Sequence, residues 1–340
     1  MRDVALDISS LEIGYPQKKS EPIHVAGPID ISINTGELIC LLGPNGVGKT
    51  TLLRTIAGIQ LALNGKVSIL NQDISSINKK KLARLLSVVL TDRISHGNLT
   101  AYELVSLGRT PYTGWFGNLN DEDRSKLQWA IDSTHIEHLA NKNIHELSDG
   151  ERQKVMIARA LAQDTPVILL DEPTAHLDLP NRIDIVRLLR KLARETNKAI
   201  IMSTHELDLA LQAADNIWLM SMENKTFSGA PEDLVLKDIF GEAFIREGIE
   251  FDKSHGVFKV VEPRYEEIYI EGNEIGVFWT KRAMERIGYT VIVGGHCERK
   301  IRVDLSKDIW TWNYTNMKNK TMLLSVEELV LHLKSEGAHP

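Results

Sequence analysis

A glycine-rich segment near residue 45 has the residue types and the spacing that hold a polyphosphate. It follows the apolar run Leu38–Leu42, opens a helical pattern, and consists of Gly43-Pro44-Asn45-Gly46-Val47-Gly48-Lys49-Thr50. Glycines let backbone N–H groups curve around phosphate oxygens, and a helix N-terminus favours an anion. Lys49 is spaced to reach the β- and γ-phosphates, and the Thr50 hydroxyl to ligate Mg²⁺. We therefore predict a phosphate-binding loop (P-loop) whose nucleotide contacts are Gly43, Asn45, Gly46, Gly48, Lys49, Thr50 and Thr51.

Two carboxylates, Asp171 and Glu172, follow the apolar run Val167–Leu170. A buried parallel strand presents side chains at its carboxyl end, where ligands bind in open α/β sheets. Asp171 is expected to hold Mg²⁺, directly or through water, and Glu172 to polarise the attacking water as a general base. An acidic pair after a strand is, by itself, more often a turn or a helix cap. Beside a P-loop, the pair predicts hydrolysis of a nucleoside triphosphate.

A third segment, Leu147-Ser148-Asp149-Gly150-Glu151, precedes a helical pattern from Lys154 to Gln163. By itself it is typical of a helix N-terminus with Ser148 as the cap. Its companions in the chain are the P-loop, the Asp171-Glu172 pair, Ala175-His176-Leu177-Asp178 and Ser203-Thr204-His205. With them, it resembles the signature motif of ABC-type ATPases. The resemblance covers roughly residues 5–240, and the motifs fall in the family's order.

The resemblance implies a head-to-tail dimer in which each ATP lies between one P-loop and the partner copy's signature motif. Ser148 and the Gly150 amide would then contact the γ-phosphate of the partner's nucleotide. His205 would contact the γ-phosphate and hold Glu172 and water in place, and Asp178 would join the two sites. Tyr15 matches the aromatic residue that stacks on adenine. A structural histidine and an ordinary strand tyrosine are the alternatives for His205 and Tyr15.

Two departures from the family pattern bear on the site. Asp149 and Glu151 stand where the family usually has Gly and Gln, and they add two carboxylates beside a polyphosphate. They should weaken closure of the dimer unless they point outward or pair with Arg152. Asp92 stands where the family places a glutamine that ligates Mg²⁺ and links the nucleotide to the transmembrane partner. An aspartate oxygen also suits a hard cation, so we expect Asp92 to keep the metal role.

The stretch Thr100–Gly108 and the loop after it, residues 109–117, resemble a segment of ATPases from iron-siderophore, haem and cobalamin importers. A loop rich in Pro, Gly and aromatic residues suits docking of a partner's helix, with Tyr112, Trp115 and Phe116 as anchors. A loop packed on its own chain is the alternative. The expected function is thus ATP hydrolysis by the peripheral subunit of a metal-chelate importer. The alternative is a soluble, non-transport ABC ATPase acting on nucleic acid or protein assemblies.

The elements that must position these residues alternate between apolar strands and amphipathic helices, which predicts an α/β P-loop fold with a parallel sheet. We expect an ATPase domain at 1–245 and a small α+β domain of unknown role at 250–340. A front antiparallel β layer precedes the P-loop, and a helical subdomain is inserted at about 87–163. The predicted strands and helices are Val4–Ile13, Pro22–Ala26, Ile29–Ile33, Leu38–Leu42, Thr50–Gly58, Lys66–Leu70, helical patterns over Lys79–Ala162, Val167–Leu170, Pro180–Thr196, Ala199–Ser203, Glu206–Ala214, Phe258–Val261, Lys281–Ile287, Tyr289–Val293 and Val326–Ser335.

The composition of the 340 residues is that of a soluble globular chain, with 43% apolar residues, 25% charged residues and a net charge of −6. The negative charge argues against binding nucleic acid through bulk positive charge. Cys40 and Cys297 lack metal-like spacing and are expected to be free thiols in a reducing compartment. The resemblance to importer ATPases implies a membrane permease and a location on the cytoplasmic face of the membrane. Since no run of this chain is long and apolar enough to span a bilayer, we expect another chain to supply the permease.

Overall fold

The computed structural model describes residues 3–17, 20–90, 98–114, 117–244, 248–260, 266–292, 297–317 and 319–336. Asp92, Trp115 and Phe116 lie outside the described residues. The chain divides into two compact units: the first holds the described residues of 1–245 together with 251–258, and the second holds those of 246–250 and 259–340. In the described part of the chain, no helix is both long enough and apolar enough to cross a bilayer.

The described chain up to residue 260 contains twelve strands and nine α-helices. The strands are β1 (Val4–Tyr15), β2 (Ile23–Asn34), β3 (Leu38–Leu42), β4 (Asn64–Ile69), β5 (Gln72–Asp73), β6 (Leu86–Val89), β7 (Val167–Leu170), β8 (Ala199–Ser203), β9 (Asn216–Met220), β10 (Thr226–Gly229), β11 (Ile249–Asp252) and β12 (Val257–Val260). The helices are α1 (Lys49–Ile56), α2 (Lys79–Leu82), α3 (Ala101–Ser106), α4 (Asp121–Ser133), α5 (Asp149–Ala162), α6 (Leu179–Thr196), α7 (Leu207–Ala213), α8 (Pro231–Leu236) and α9 (Ile239–Ala243).

The central sheet has the strand order β10-β9-β3-β8-β7-β6, and only the β10-β9 pair is antiparallel. Every residue of β3, β7 and β8 is buried, because helices and the front sheet cover the two faces. The carboxyl ends of these three parallel strands meet at one edge. That edge carries the P-loop after β3, the two carboxylates after β7 and His205 after β8. The predicted α/β architecture is confirmed.

A second sheet, with the order β2-β1-β4-β5, is antiparallel and forms the predicted front layer. The prediction of two strands at Pro22–Ala26 and Ile29–Ile33 is wrong, because the single strand β2 spans both. Pro28 ends no strand here: β2 lies at the edge of the sheet, where a missing N–H breaks no ladder, and the register shifts beside Pro28.

The segment between β6 and β7 holds helices α3, α4 and α5, as the helical patterns predict. Capping boxes start α3 at Thr100 and α4 at Asn120, and a buried Arg109–Asp123 ion pair of 2.8 Å joins the turn after α3 to α4. The predicted helical stretch does begin at Lys79 with α2, but its continuation through residues 86–89 is wrong, because Leu86–Val89 pair with β7 as the parallel edge strand β6.

The second unit contains the strands β13 (Glu266–Gly272), β14 (Tyr289–Ile292), β15 (Lys300–Ser306), β16 (Ile309–Thr315) and β17 (Lys320–Leu323) and the helices α10 (Glu274–Arg286) and α11 (Val326–Ser335). Its sheet has the order β14-β13-β15-β16-β17. The β13 strand pairs in parallel with both β14 and β15, and the β15-β16 and β16-β17 pairs are antiparallel. Trp312 is buried and donates to Thr280 over 2.7 Å. The unit is therefore the small α+β fold that was predicted, with its own apolar core.

Candidate nucleotide-binding site

The P-loop leaves β3 at Gly43 and enters α1 at Lys49, so the loop lies at the carboxyl edge of the central sheet. Gly43 and Gly48 have φ angles of 149° and 108°, a region that favours glycine. A Cβ atom on Gly43 would lie 2.6 Å from the Met220 carbonyl oxygen, and one on Gly48 would lie 2.5 Å from Val25 Cγ1. The neighbouring strands therefore leave room only for glycine at these two points, while Asn45 and Gly46 are exposed.

Lys49 lies across the P-loop, and only 6% of its surface is exposed. Its Nζ donates to the carbonyl oxygens of Gly43 at 2.8 Å and Pro44 at 3.1 Å. Burial lowers the pKa of Lys49, and the nearby carboxylates of Glu172 and Asp171 oppose that shift. The ammonium group is thus held by neutral oxygens at the point where phosphate oxygens would enter.

Asp171 is buried at the end of β7, and Ser203 and Thr50 both reach its carboxylate. The Ser203 hydroxyl donates to Oδ1 at 2.7 Å, and the Thr50 hydroxyl lies 3.4 Å from the same oxygen. Ser203 Oγ also accepts from the backbone N–H of Glu172 at 2.8 Å. Ser203 was not among the predicted site residues. The sequence signal that could have found it is a single polar residue at the end of the apolar strand β8.

Glu172 and His205 are in direct contact, with 2.8 Å between Oε1 and Nε2. Glu172 has a φ of 49°, a left-handed conformation that is strained for a non-glycine residue. The N–H bond to Ser203 helps to hold this backbone in place. The structure therefore brings together the two residues predicted to handle the attacking water.

The signature segment forms the N-terminus of α5, with Ser148 as its cap. The Ser148 hydroxyl donates to Glu151 Oε2 at 2.9 Å and accepts from the Glu151 N–H at 3.3 Å, and the Ser148 N–H donates to the same carboxylate at 2.9 Å. Asp149 is exposed and pairs with Arg152 at 3.1 Å. Of the two carboxylates expected to weaken closure, Asp149 meets the stated exception by pairing with Arg152, whereas Glu151 binds Ser148.

Gly150 and Asp178 are joined through Asn181, a residue that was not predicted. Asp178 caps α6 and accepts from the Asn181 N–H at 3.1 Å and from its Nδ2 at 2.7 Å. A Cβ atom on Gly150 would lie 2.9 Å from Asn181 Oδ1, so that side chain packs directly against the signature glycine. Two segments predicted to meet a partner copy are thus packed together within one chain.

Tyr15 ends β1 half-exposed, and its hydroxyl lies 3.1 Å from Thr51 Oγ1. The ring therefore stands beside the start of α1, where a base could lie against it. In the loop after α3, the guanidinium groups of Arg84 and Arg109 both lie over the Tyr112 ring, 5.0 and 4.0 Å from its centre. Tyr112 thus packs on its own chain.

Comparison with known proteins matches residues 26–175 to the ABC transporter family and residues 265–334 to the iron ABC transporter C-terminal domain. The chain is 40% identical over 255 residues to the ABC transporter ATP-binding protein MJ0873 of Methanocaldococcus jannaschii, covering 75% of this chain and 86% of that protein. This chain belongs to the ABC transporter ATPases. The ATPase is also 35% identical over 240 residues to the iron(3+)-hydroxamate import ATP-binding protein FhuC of Bacillus subtilis, covering 71% of this chain and 87% of that protein.

Among solved structures, the ATPase resembles the dimeric cassette MJ0796 in a post-hydrolysis state with ADP and Pi. The TM-score is 0.53 with 29% identity, and the match covers 63% of this chain and 94% of that one. The fold and the ATP-hydrolysing activity of the family are therefore those predicted from the motifs.

The oxygen groups of Thr50 and Asp171 fit a Mg²⁺ ion in kind. Mg²⁺ prefers hard oxygen ligands, and a threonine hydroxyl next to a carboxylate supplies them. The same Asp171 oxygen accepts from both Thr50 and Ser203, so a cation could replace the Thr50 contact while Ser203 still holds the carboxylate.

Proposed function

We propose that this ATPase is the peripheral energy-coupling subunit of an importer for a metal chelate of the iron-siderophore type. Two copies would act with an integral membrane permease made by another chain, on the cytoplasmic face of the membrane. The observation that carries the proposal is the convergence of Lys49, Asp171, Glu172 and His205 at one sheet edge in a chain that also matches an iron transporter domain.

Binding of ATP would begin at the P-loop. Backbone N–H groups between Gly43 and Gly48 would surround the phosphates, and the N-terminus of α1 adds a favourable dipole. The Lys49 ammonium group would exchange the carbonyl oxygens of Gly43 and Pro44 for phosphate oxygens, which are stronger, charged acceptors. Tyr15 would stack on the adenine ring, and Asn45, which is exposed in the P-loop, would contact the nucleotide.

Thr50 and Asp171 would hold Mg²⁺, with Asp92 as a third ligand. When bound, the ion would neutralise part of the phosphate charge. Ser203 keeps the Asp171 carboxylate oriented toward Thr50, because its hydroxyl donates to Oδ1 from the buried end of β8.

Glu172 would take the proton of the attacking water. Its carboxylate is in contact with His205, whose imidazole would orient it and reach the γ-phosphate. A catalytic base held in position by a second residue is a common arrangement in enzymes. His205 and Glu172 therefore form one unit that needs a triphosphate beside it to complete the reaction.

The site would be completed by a second copy in head-to-tail arrangement. Ser148 is exposed at the N-terminus of α5, and the Gly150 amide lies in the first turn of the same helix, an arrangement that suits an anion presented by a partner. Asp178 lies next to Gly150 through Asn181, so both would move toward the partner together. The dimeric state of MJ0796 with ADP and Pi supports a site that involves two copies.

The importer assignment can be tested by uptake. Replacing the gene with one encoding Glu172→Gln should abolish uptake of radiolabelled iron supplied as a ferric hydroxamate. Uptake of radiolabelled cobalamin in the same cells is the specificity control. Normal iron uptake together with lost cobalamin uptake would overturn the iron-siderophore class. Normal uptake of both, with ATPase activity stimulated by nucleic acid, would favour the non-transport alternative.

A further inference from the structure

The Ser148 hydroxyl carries a single hydrogen, and in this chain that hydrogen is already used. It is donated to Glu151 Oε2 at 2.9 Å, while the Ser148 oxygen accepts from the Glu151 backbone N–H. A phosphate oxygen is only an acceptor when fully ionised. The Ser148 hydroxyl can therefore donate to a partner's γ-phosphate only after it stops donating to Glu151.

Glu151 also places a negative charge close to the expected phosphate position. The phosphate oxygen and the carboxylate oxygen would each lie within hydrogen-bond distance of the same Ser148 oxygen, so they would be about 6 Å apart or less. Hydrogen bonds from the Ser148 backbone and hydroxyl lower the pKa of Glu151, and the charges of Lys142 and His138 act in the same direction. The carboxylate is consequently ionised at neutral pH.

We propose that Glu151 restrains closure of the ATP-bound dimer by holding the Ser148 hydroxyl and by repelling the partner's γ-phosphate. This inference rests on the proposed two-copy site and names a regulatory residue within it. Glu151 acts as a positioning residue through Ser148, and it also acts directly through its charge. The restraint applies twice in each dimer, because every copy contributes one signature segment. A permease that drives closure would have to supply the energy that ATP alone does not.

Asp149 provides a matched control for the charge. It lies two residues from Glu151 at the same helix N-terminus, carries the same charge, and is exposed and paired with Arg152. It makes no contact with the Ser148 hydroxyl among the hydrogen bonds of the described residues. Removing its charge alters the general field of the helix terminus but leaves the Ser148–Glu151 bond in place.

The test uses the full chain carrying Glu172→Gln, so that bound ATP is not hydrolysed. Light scattering follows dimer formation as MgATP is added, and calorimetry measures ATP binding to the monomer. Adding Glu151→Gln should lower the ATP concentration for half-maximal dimerisation by about tenfold, because glutamine keeps the cap at this helix position and removes the charge. Monomer affinity for ATP should change by less than about twofold. Adding Asp149→Asn should shift dimerisation by less than about threefold, as expected of an exposed charge.

A double-mutant cycle with Ser148→Ala separates the two effects of Glu151. Without the hydroxyl, Glu151→Gln should retain only the repulsion part, so its effect on dimerisation should shrink by several-fold. An unchanged or higher ATP requirement in the Glu151→Gln chain would overturn the inference while the two-copy site still stands. Equal effects of Glu151→Gln and Asp149→Asn would also overturn it. Absence of ATP-driven dimers in every variant would overturn the two-copy site itself.

Discussion

Replacing Ser203 with alanine tests whether one buried hydroxyl holds both halves of the carboxylate pair. Ser203 is fully buried at the end of β8 and makes two bonds to the end of β7. It donates to the Asp171 carboxylate over 2.7 Å and accepts from the Glu172 N–H over 2.8 Å. Ser203→Ala removes both bonds and only one heavy atom, so lost hydrogen bonding is the main effect.

The size of the effect follows from the partners. A hydrogen bond to a charged group contributes about 1.5–3 kcal/mol, and a buried N–H left without a partner costs about 1–3 kcal/mol. The sum is about 3 kcal/mol or more, since the Glu172 backbone is also in a left-handed conformation that the N–H bond helps to hold. For a domain of this size, that free energy lowers the unfolding midpoint by roughly 6–12 °C.

Ser87→Ala is the matched control. Ser87 is also fully buried on a strand of the central sheet, β6, and its Oγ lies 3.1 Å from the Thr165 hydroxyl. Thr165 has a second acceptor, the Val167 carbonyl at 2.8 Å, so this change should cost only about 1 kcal/mol or less. Both variants delete one buried hydroxyl, but only Ser203→Ala affects the carboxylates.

The assay combines thermal unfolding with steady-state ATP hydrolysis. Ser203→Ala should unfold several degrees below Ser87→Ala and lose about tenfold or more in kcat, because small displacements of catalytic groups are costly. Its ATP affinity should stay within a few-fold of the original, since Lys49 and the P-loop are untouched. Equal unfolding midpoints for the two variants, with normal turnover in both, would refute the positioning role of Ser203.

Three further changes address other parts of the ATPase. Lys49→Ala should lower ATP affinity by about 100-fold or more in calorimetry, because it removes the cation that faces the phosphates; unchanged affinity would contradict the P-loop assignment. Glu172→Gln should keep ATP affinity, reduce turnover by about 100-fold or more and leave an ATP-bound dimer in light scattering; near-normal turnover would exclude it as the base. A fragment of residues 1–258 should be soluble and bind ATP, whereas residues 1–248 should not, since Phe251 and Phe258 pack within the first unit.

The fragment experiment also addresses the domain division, which stays a prediction. The sequence pattern changes near residue 250, and the expected boundary followed that change. In the structure, Phe251 is buried against Phe240, and Phe258 lies against Phe244. Aromatic residues in a linker carry no sign of which core they will join, so the sequence pattern could not place this segment.

The strands that build the site were predictable because each is an uninterrupted apolar run. The predicted bounds of Leu38–Leu42, Val167–Leu170 and Ala199–Ser203 match β3, β7 and β8 in the structure. A strand buried on both faces has no alternation to confuse with a helix, and each of these runs ends at Gly or polar residues. By contrast, β6, which is as short as β7, lies in a stretch of helical patterns, so nothing local distinguished it from a helical segment.

The contacts that were missed join residues that are far apart in the sequence. Ser203 reaches Asp171 because β8 pairs with β7 in one particular register, with Leu170 opposite Met202. No local pattern fixes that register, since all the residues in both strands are apolar up to their ends. The bond between Ser148 and Glu151, on the other hand, was within reach of the sequence: the spacing Ser-x-x-Glu before a helical segment predicts a capping box.

The capping box shows how the needs of the helix and of the site conflict at the same atom. As the cap of α5, Ser148 stabilises the helix most when its hydroxyl is bound to the ionised Glu151. As a ligand for a partner's phosphate, it needs the same hydrogen free. A glutamine at position 151 would keep the capping box and weaken the competition, so capping itself does not require the charge. The charge of Glu151 instead affects closure of the dimer. In this ATPase, one copy binds ATP, and the other copy captures that ATP only after its Ser148 hydroxyl has been released from Glu151.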